Sequence, residues 1–378
     1  MLKIAIIGCG KIADTHATHI QRLPDCELVA VCDSEELMAR QLCERFPARG
    51  FYTDIRTMLE TARPDVVHIT TPPQSHLPIA LQCLNHGCHL FVEKPFTVDT
   101  NEARQLLDAA RQAGKKVTVG HDAQFSEVNR RLRALVKAGY IGDRVVHLES
   151  TWVYDMGDVT YAKALLENDL HWSRQLPGGL LQNIISHGLA KIAEFLQDES
   201  PTVIARGFVS PFLRNIGEQH LIDELRVIIH DSPGTSAYFT FSSQRRPALN
   251  QFYLYGSKNG IMIDEDRRML LKLSGRNYKS FANHFIPPFA IAKNYAGNGL
   301  HNIGQFLKMD FHMDSARKHL IQAFYRAITH DEPLPISYGE ILRISSIMDE
   351  IFAQLGHRAA PKKEIPQPMS AEPGATNV

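Results

Sequence analysis

The sequence predicts an α/β domain with a doubly wound parallel sheet, followed by an α+β domain with a large, mostly antiparallel open sheet. In the first third of the chain, short strands rich in β-branched residues alternate with helices, which is typical of a parallel sheet covered on both faces. After about residue 143, strands follow one another without intervening helices, which favours antiparallel pairing. At about 150 residues per domain, the 378 residues correspond to roughly 2.5 domains, which favours two.

Five strands and five helices alternate in the predicted first domain, which we assign to residues 1–123. The expected strands cover residues 4–7, 28–32, 66–70, 89–92 and 116–119. The expected helices cover residues 12–21, 35–46, 55–61, 78–86 and 100–113. We expect the N-cap of the last helix within Thr100, Asn101 and Glu102, and a glycine stop at Gly114.

The predicted second domain covers residues 124–355 and is dominated by strands. We expect them at residues 145–153, 202–209, 221–230, 235–242, 251–256, 260–264 and 269–273. Three helices are expected near residues 178–196, 314–329 and 338–355. Residues 356–378 are rich in Pro, Ala, Lys and Glu, which predicts a disordered tail.

Composition argues against several classes of protein. Lys plus Arg and Asp plus Glu both number 41, so the formal charge is zero and lacks the basic bias of a dedicated nucleic-acid binder. No apolar run approaches the roughly 20 residues of a membrane-spanning helix, and we expect no signal peptide. Six cysteines fall in the first quarter without a CxxC pair, which favours reduced thiols and predicts a cytoplasmic location.

A glycine motif follows the first predicted strand. Gly8 and Gly10 stand in the pattern G-x-G-x-x-A between this strand and a helix that opens with Lys11 and Ile12. Gly8 permits a tight turn, and Gly10 lets the backbone approach a pyrophosphate. The N–H groups at the start of the helix then face the phosphates. The motif therefore predicts a dinucleotide site that includes these four residues.

Asp33 ends the second predicted strand, twenty residues beyond the glycine motif. A carboxylate at this place can accept hydrogen bonds from the ribose hydroxyls of the dinucleotide. Together with Glu35 and Glu36 it would repel a 2′-phosphate, which favours NAD over NADP. Ser34 and Arg40 leave NADP open as the less favoured cofactor.

Three further motifs carry a resemblance to a known family. They are T-P-x-x-x-H at residues 71–76, E-K-P at residues 93–95, and a helix that begins near Gly178-Gly179 and contains His187. With the glycine motif, they make the chain similar to the Gfo/Idh/MocA family of glucose–fructose oxidoreductases and inositol dehydrogenases. The resemblance covers nearly all of residues 1–355 and implies a Rossmann first domain that binds NAD or, less favoured, NADP.

The resemblance also implies residues for the cofactor site. They are Thr71, Pro72, His76, Glu93, Lys94 and Asp122. The first three would line the cofactor trough, Glu93 and Lys94 would lie beside the nicotinamide, and Asp122 would lie near its amide. A cis peptide is expected before the proline of the E-K-P motif.

Lys94, His187 and Asn183 are the predicted catalytic residues. The Lys94 ammonium can stabilise negative charge on the reacting oxygen, and His187 can act as general acid or base. In the family, an Asp stands four residues before this His, but here the position holds Asn183. An amide orients a substrate hydroxyl but cannot stabilise an imidazolium by charge.

These residues lead to an enzyme hypothesis with two alternatives. We expect an NAD-dependent oxidoreductase acting on a secondary hydroxyl of a sugar, polyol or nucleotide sugar. The loss of the Asp keeps open an NAD-using glycosidase or lyase without net redox change, or a non-catalytic dinucleotide-binding regulator. No catalytic metal is predicted, because the histidines lack metal-site spacing. A homodimer or homotetramer is expected by analogy with relatives, whose open sheets commonly pair face to face.

Two other regions leave alternatives open. The aromatic residues Trp152, Tyr154, His171 and Trp172 could stack on a sugar, although core packing is favoured for the tryptophans. The stretch 274–313 contains two adjacent prolines and many apolar residues, and relatives usually have a shorter connection here. It could be a lid, an oligomer contact or a membrane contact. Few basic residues make the membrane contact the weakest of the three.

Overall fold

The structure is a computed structural model that describes residues 1–155, 171–307 and 315–356. These residues form two sheets with helices packed on them. The predicted tail lies outside the described residues apart from Gly356, as do residues 308–314 at the end of the unusual connection.

The first domain has six parallel strands in the order β3-β2-β1-β4-β5-β6, which is the order of a Rossmann fold. The strands are β1 (Leu2–Ile7), β2 (Cys26–Cys32), β3 (Phe51–Tyr52), β4 (Val66–Ile69), β5 (His89–Val92) and β6 (Val117–Val119). The helices are α1 (Lys11–Arg22), α2 (Glu36–Arg45), α3 (Ile55–Ala62), α4 (His76–Asn85) and α5 (Thr100–Gln112). Because the strand order reverses between β1 and β4, their carboxyl ends open a crevice for a ligand.

The second domain has a seven-stranded sheet in the order β13-β12-β11-β7-β10-β9-β8. The strands are β7 (Val145–Val153), β8 (Thr202–Phe208), β9 (Glu224–His230), β10 (Ser236–Ser242), β11 (Gln251–Gly256), β12 (Asn259–Asp264) and β13 (Met269–Ser274). The β7–β10 pair is parallel, and the other pairs are antiparallel. The predicted fold class is therefore confirmed.

Six helices belong to the rest of the described chain. They are α6 (Glu127–Lys137), α7 (Gly179–Ala193), α8 (Pro211–Asn215), α9 (Ala282–Leu307), α10 (Ser315–Thr329) and α11 (Tyr338–Gln354). Helix α7 is the central one, since nearly all of its residues are buried. It packs on one face of the second sheet and borders the first domain, so its side chains reach the gap between the domains.

Helix α10 returns to the first domain, although it follows the second sheet in the chain. Leu320, Ile321 and Phe324 are fully buried in the same apolar core as β1 and β4. The core of the first domain is thus completed by residues about 200 positions later in the chain.

Several elements differ from the sequence-based expectation. Strand β3 has only two residues, too few for a periodic pattern, and α6, α8 and α9 were not expected. The N-cap of α5 is Asp99, whose carboxylate accepts the Glu102 N–H at 2.8 Å, and not one of the three residues that we proposed. The peptide Lys94–Pro95 is cis, as the family resemblance implies.

Candidate active site

A cleft of about 1000 Å³ runs along the carboxyl ends of the first sheet and under α7. Eleven of the thirteen predicted site residues line it: Gly8, Gly10, Lys11, Ile12, Asp33, Thr71, Pro72, Glu93, Lys94, Asn183 and His187. His76 and Asp122 are not among its lining residues. The cleft therefore joins residues that lie up to about 180 positions apart in the chain.

The glycine turn forms one end of the cleft. Gly8 has a φ of +94°, and a Cβ there would lie 2.7 Å from Thr71 Cγ2 and 2.8 Å from the Thr71 nitrogen. The turn can therefore approach the β4 loop only with glycine at this position. A Cβ on Gly10 would meet no atom within 4 Å, and no side chain caps the N-terminus of α1. This open, uncapped helix start fits the pyrophosphate of a dinucleotide.

Asp33 closes the turn from the side of β2. Its carboxylate accepts the Cys9 N–H at 2.7 Å and the Glu35 N–H at 3.0 Å. Each carboxylate oxygen keeps a lone pair, so the group can still accept hydrogen bonds from ribose hydroxyls. Arg40 makes an ion pair with Glu36 on the surface of α2. In this arrangement its guanidinium is engaged by Glu36 and does not contact Asp33.

Lys94 and Asn183 meet across the cleft. The Lys94 ammonium donates to the Asn183 side-chain oxygen at 2.9 Å and to its backbone oxygen at 3.1 Å. Burial lowers the pKa of Lys94, while the carboxylates of Glu93 and Asp122 oppose that shift. The contact holds the ammonium of the first domain against a helix of the second.

His187 lies one turn beyond Asn183 on α7. Its ring stacks on Trp152 with 5.4 Å between centroids, and its Nδ1 is buried without a hydrogen-bond partner among the described residues. Burial, with the positive charge of Lys94, holds its pKa well below the usual value. The imidazole is therefore neutral at pH 7, and the residue lines the cleft.

A buried chain of hydrogen bonds starts at Glu93. The Glu93 carboxylate lies 2.9 Å from His16 Nε2, His16 Nδ1 lies 2.7 Å from His68 Nδ1, and His68 Nε2 lies 2.9 Å from the Tyr325 hydroxyl. One set of neutral tautomers satisfies every link, with Tyr325 donating to His68, His68 to His16 and His16 to Glu93. The sequence does not reveal this chain, because its histidines and tyrosine come from α1, β4 and α10, while Glu93 follows β5.

Arg317 of α10 adds a positive charge behind Glu93. Its guanidinium lies 2.8 Å from the Asp122 carboxylate and 3.7 Å from Glu93. Burial alone would raise the pKa of Glu93, but Arg317, His16 and Lys94 outweigh it and hold the pKa well below its usual range. Asp122 is thus an ion-pair partner in this structure and does not line the cleft, where a position near the nicotinamide amide was expected.

His76 is fully buried and joins two loops of the cleft. Its ring nitrogens lie 2.7 Å from the Thr71 carbonyl and 3.0 Å from the Phe96 carbonyl. It therefore ties the T-P-x-x-x-H loop to the loop after E-K-P. His76 therefore positions these two loops from behind the cofactor trough, whereas we expected it to line the trough.

The four aromatic residues noted in the sequence all line the cleft. Trp152 also packs against the second core, so the core packing that we favoured accounts for only part of its surroundings. The Trp172 carbonyl accepts the Gln74 side chain at 3.0 Å, which links the two sides of the cleft. The structure thus brings flat apolar surfaces next to Lys94 and His187, where a ligand ring can stack.

Three absences concern only the part of the chain that the structure describes. No group of three or more His, Cys, Asp or Glu side chains there is arranged to hold a metal ion. None of the described helices is both long and apolar enough to cross a membrane. The six cysteines, all described, form no disulfide.

Residues 2–121 match the model of an oxidoreductase family, Gfo/Idh/MocA, described as an NAD-binding Rossmann fold. The D-glucoside 3-dehydrogenase of Escherichia coli K12 is 36% identical over 143 residues, which are 38% of this chain and 41% of that protein. The myo-inositol 2-dehydrogenase of Thermotoga maritima is 22% identical over 72% of this chain and 78% of its own. For several curated relatives, the chain spans only about half of their length.

Solved structures match the fold of nearly the whole chain. The WlbA dehydrogenase from Bordetella pertussis, solved with NADH and UDP-GlcNAcA, superposes with a TM-score of 0.72 at 14% identity. The match covers 94% of this chain and 95% of that one. At this identity the likeness concerns the fold, including both domains and their order.

Proposed function

We propose that this chain, whose residues 2–121 match the Gfo/Idh/MocA family of NAD-binding oxidoreductases, oxidises or reduces a secondary alcohol carbon of a carbohydrate. The substrate class is a sugar, polyol or nucleotide sugar. The observation that carries the proposal is the contact of Lys94 with Asn183 beside His187, at the floor of a cleft that begins at an uncapped glycine turn.

The cofactor of this proposal is NAD, and the first domain supplies residues to hold it. Gly8, Gly10, Lys11 and Ile12 would bind the pyrophosphate, and Asp33 would bind the ribose hydroxyls. The ion pair of Arg40 with Glu36 supports NAD over NADP, because it engages a cation that could otherwise balance a 2′-phosphate. When bound, NAD supplies a nicotinamide ring that can accept or donate a hydride.

Lys94 is the group that we assign to the reacting oxygen. Its ammonium can donate a hydrogen bond to that oxygen and stabilise negative charge as it develops. Asn183 orients the ammonium through its side-chain oxygen and can turn its amide N–H groups toward a substrate hydroxyl. The low-polarity surroundings that depress the pKa of Lys94 also strengthen its interaction with a charged oxygen.

His187 is the group that we assign to the proton of the substrate hydroxyl. Its neutral ring lines the cleft and can accept that proton. Trp152, which stacks on the ring, sets its orientation. The aromatic residues at the same end of the cleft support a sugar ring as the bound group.

The test is the Lys94→Ala variant with a panel of glucosides, polyols and nucleotide sugars. We expect NADH formation to fall by about a hundredfold or more, since one donor to a developing oxyanion is lost. The dissociation constants of NAD and NADP are measured in parallel by titration, and that of NAD should change by less than about threefold. The exposed Lys137→Ala is the matched control.

Unchanged turnover in Lys94→Ala would contradict the assignment. A second function is favoured by one observation, the amide of Asn183 at the place of an acid. Cleavage of a glycoside without net NADH formation would move the proposal to an NAD-using glycosidase. Bound NAD with no turnover on the whole panel would favour a regulator.

The six unpaired cysteines suit a reducing compartment, so a cytoplasmic location is part of the proposal.

A further inference from the structure

The first observation concerns the apolar surface of one segment, residues 281–307, which we name the arm. It comprises Phe281 and helix α9. Ten large hydrophobic side chains of the arm are exposed, out of nineteen in the described chain. Phe289 is 77% exposed, and Phe281 is 75% exposed. Lys293 is the one residue of the arm that is Lys, Arg, Asp or Glu. A helix of this composition is normally buried.

The arm is anchored at one end only. Asn298 accepts the Leu270 N–H at 3.0 Å and donates to the Leu270 carbonyl at 2.8 Å, so it binds the edge strand β13. His301 lies 2.8 Å from the Glu127 carboxylate of α6. Between residues 281 and 296, by contrast, no side chain is buried. This half of the arm projects from the body of the protein.

The exposed apolar residues of the projecting half do not form a narrow stripe. Phe285, Ile286, Phe289, Ile291 and Tyr295 are exposed. At about 100° per residue these positions span roughly 220° of the helix circumference, about twice the apolar stripe of an ordinary surface helix. Whatever covers the arm must therefore enclose it from more than one side.

The arm adjoins a second uncovered surface, the outer face of the large sheet. Tyr295 lies close enough to Tyr253 to contribute, after burial and Glu149, to raising its pKa. Tyr253 points to the outer face, since its neighbours in β11, Phe252 and Leu254, are buried on the inner face. Farther along this face Ile228 and Tyr238 are exposed. The arm thus passes near an outer face that carries exposed apolar side chains of its own among polar ones.

The chemistry of the arm discriminates between its possible occupants. A helix that lies on a membrane carries a strongly charged face, commonly rich in Lys and Arg, and the arm has a single Lys. Ten exposed side chains of about 100 Å² each would bury roughly 1,000 Å² per copy and 2,000 Å² in a pair, which is the size of a stable protein interface. A two-fold axis would let each arm lie on the apolar surface of the other copy.

We propose that the arm docks on a second copy of this chain, so that in a two-fold dimer each copy covers the arm of the other. This contact is separate from the cleft and does not depend on the catalytic assignment. It selects the oligomer contact among the three roles that the sequence left open for this stretch.

The test is the mass of the full-length protein in solution, by light scattering after size exclusion and by sedimentation at micromolar concentration. The wild type is expected to be a dimer or a higher even oligomer. Phe285→Asp with Phe289→Asp should raise the dissociation constant at least about tenfold, because both side chains would lie in the buried centre. Leu37→Asp with Met38→Asp, exposed on α2, is the matched control and should leave the mass unchanged.

Three results would overturn the proposal. They are a monomeric wild type, an arm variant with the wild-type mass and dissociation constant, and a monomer that co-sediments with phosphatidylcholine–phosphatidylglycerol vesicles. Circular dichroism checks that the variants are folded. If the double variant does not fold, the milder Phe289→Ser is compared with the wild type by the same measurements.

Discussion

The side chain at position 183 contacts the only positive charge assigned to the reacting oxygen, the Lys94 ammonium. Asn183 accepts a hydrogen bond from Lys94, whose pKa is depressed by burial. In Asn183→Asp, a carboxylate at that distance stabilises the ammonium and raises the pKa of Lys94. If the charged form is the active one, the basic limb of the pH profile of kcat/KM moves to higher pH. Asn183→Ala, which removes the contact without adding charge, is the control, and an unmoved limb would contradict the role of Lys94.

Tyr325 stabilises the buried chain of hydrogen bonds through one atom, its hydroxyl oxygen. Its hydroxyl is the donor that completes the chain through His68 and His16 to Glu93. Tyr325→Phe leaves His68 Nε2 buried without a partner, and we expect the free energy of unfolding to fall by about 1–3 kcal/mol. Urea unfolding measures this loss. Tyr238→Phe, at an exposed tyrosine, should be neutral, and equal values for the two variants would show that the chain is not intact in solution.

Helix α11 carries a pH-dependent contact at its first turn. Ser337 caps the helix by accepting the Glu340 N–H, and the Glu340 carboxylate accepts Gln124 at 2.6 Å. Burial, with the charge of Glu194, raises the pKa of Glu340 to about 7. Because the unfolded value is lower, this group contributes stability below about pH 4.5 that is lost as the pH rises through 7.

Glu340→Gln should therefore stabilise the protein at high pH. Glutamine keeps the acceptor for Gln124 and the capping pattern of the first turn, but it carries no charge. At pH 8 we expect about 1–3 kcal/mol of added stability from the removed pKa difference, and almost none at pH 4.5. Thermal unfolding at the two pH values measures it. An equal gain in stability at pH 8 and pH 4.5 would show that the effect comes from packing and not from the ionisation of Glu340.

At the same scale, the elements differ in how far the sequence predicts them. The strands of both sheets lie close to the expected bounds, because β-branched apolar runs between polar turns leave little choice of register. Helix α9 was not expected, since Pro287 and Pro288 and three glycines disfavour a helix locally. In the structure it is helical, and its Asn298 side chain satisfies the open edge of β13. Local propensity is here overridden by a contact that the sequence does not reveal.

For the whole molecule, the decisive feature is the return of α10 to the first core. Leu320, Ile321 and Phe324 are fully buried against β-strands of residues 1–123. A fragment limited to residues 1–123 would expose the apolar surface that these side chains cover. We expect it to bind an apolar dye and to unfold without a cooperative transition, while the full chain unfolds cooperatively. A cooperative, dye-free fragment would show that the Rossmann sheet is stable without α10.

Local patterns predict the two-domain fold, the glycine turn and the resemblance to the family, because these depend on apolar periodicity, a glycine motif and short motifs at strand ends. Which residues meet depends on the tertiary structure. Three contacts join distant segments of the chain: Lys94 with Asn183, the hydrogen bonds from Glu93 to Tyr325, and the ion pair of Asp122 with Arg317. Such contacts depend on how helices cross and pack. The sequence contains the residues that make these contacts, but it does not show which of them become neighbours.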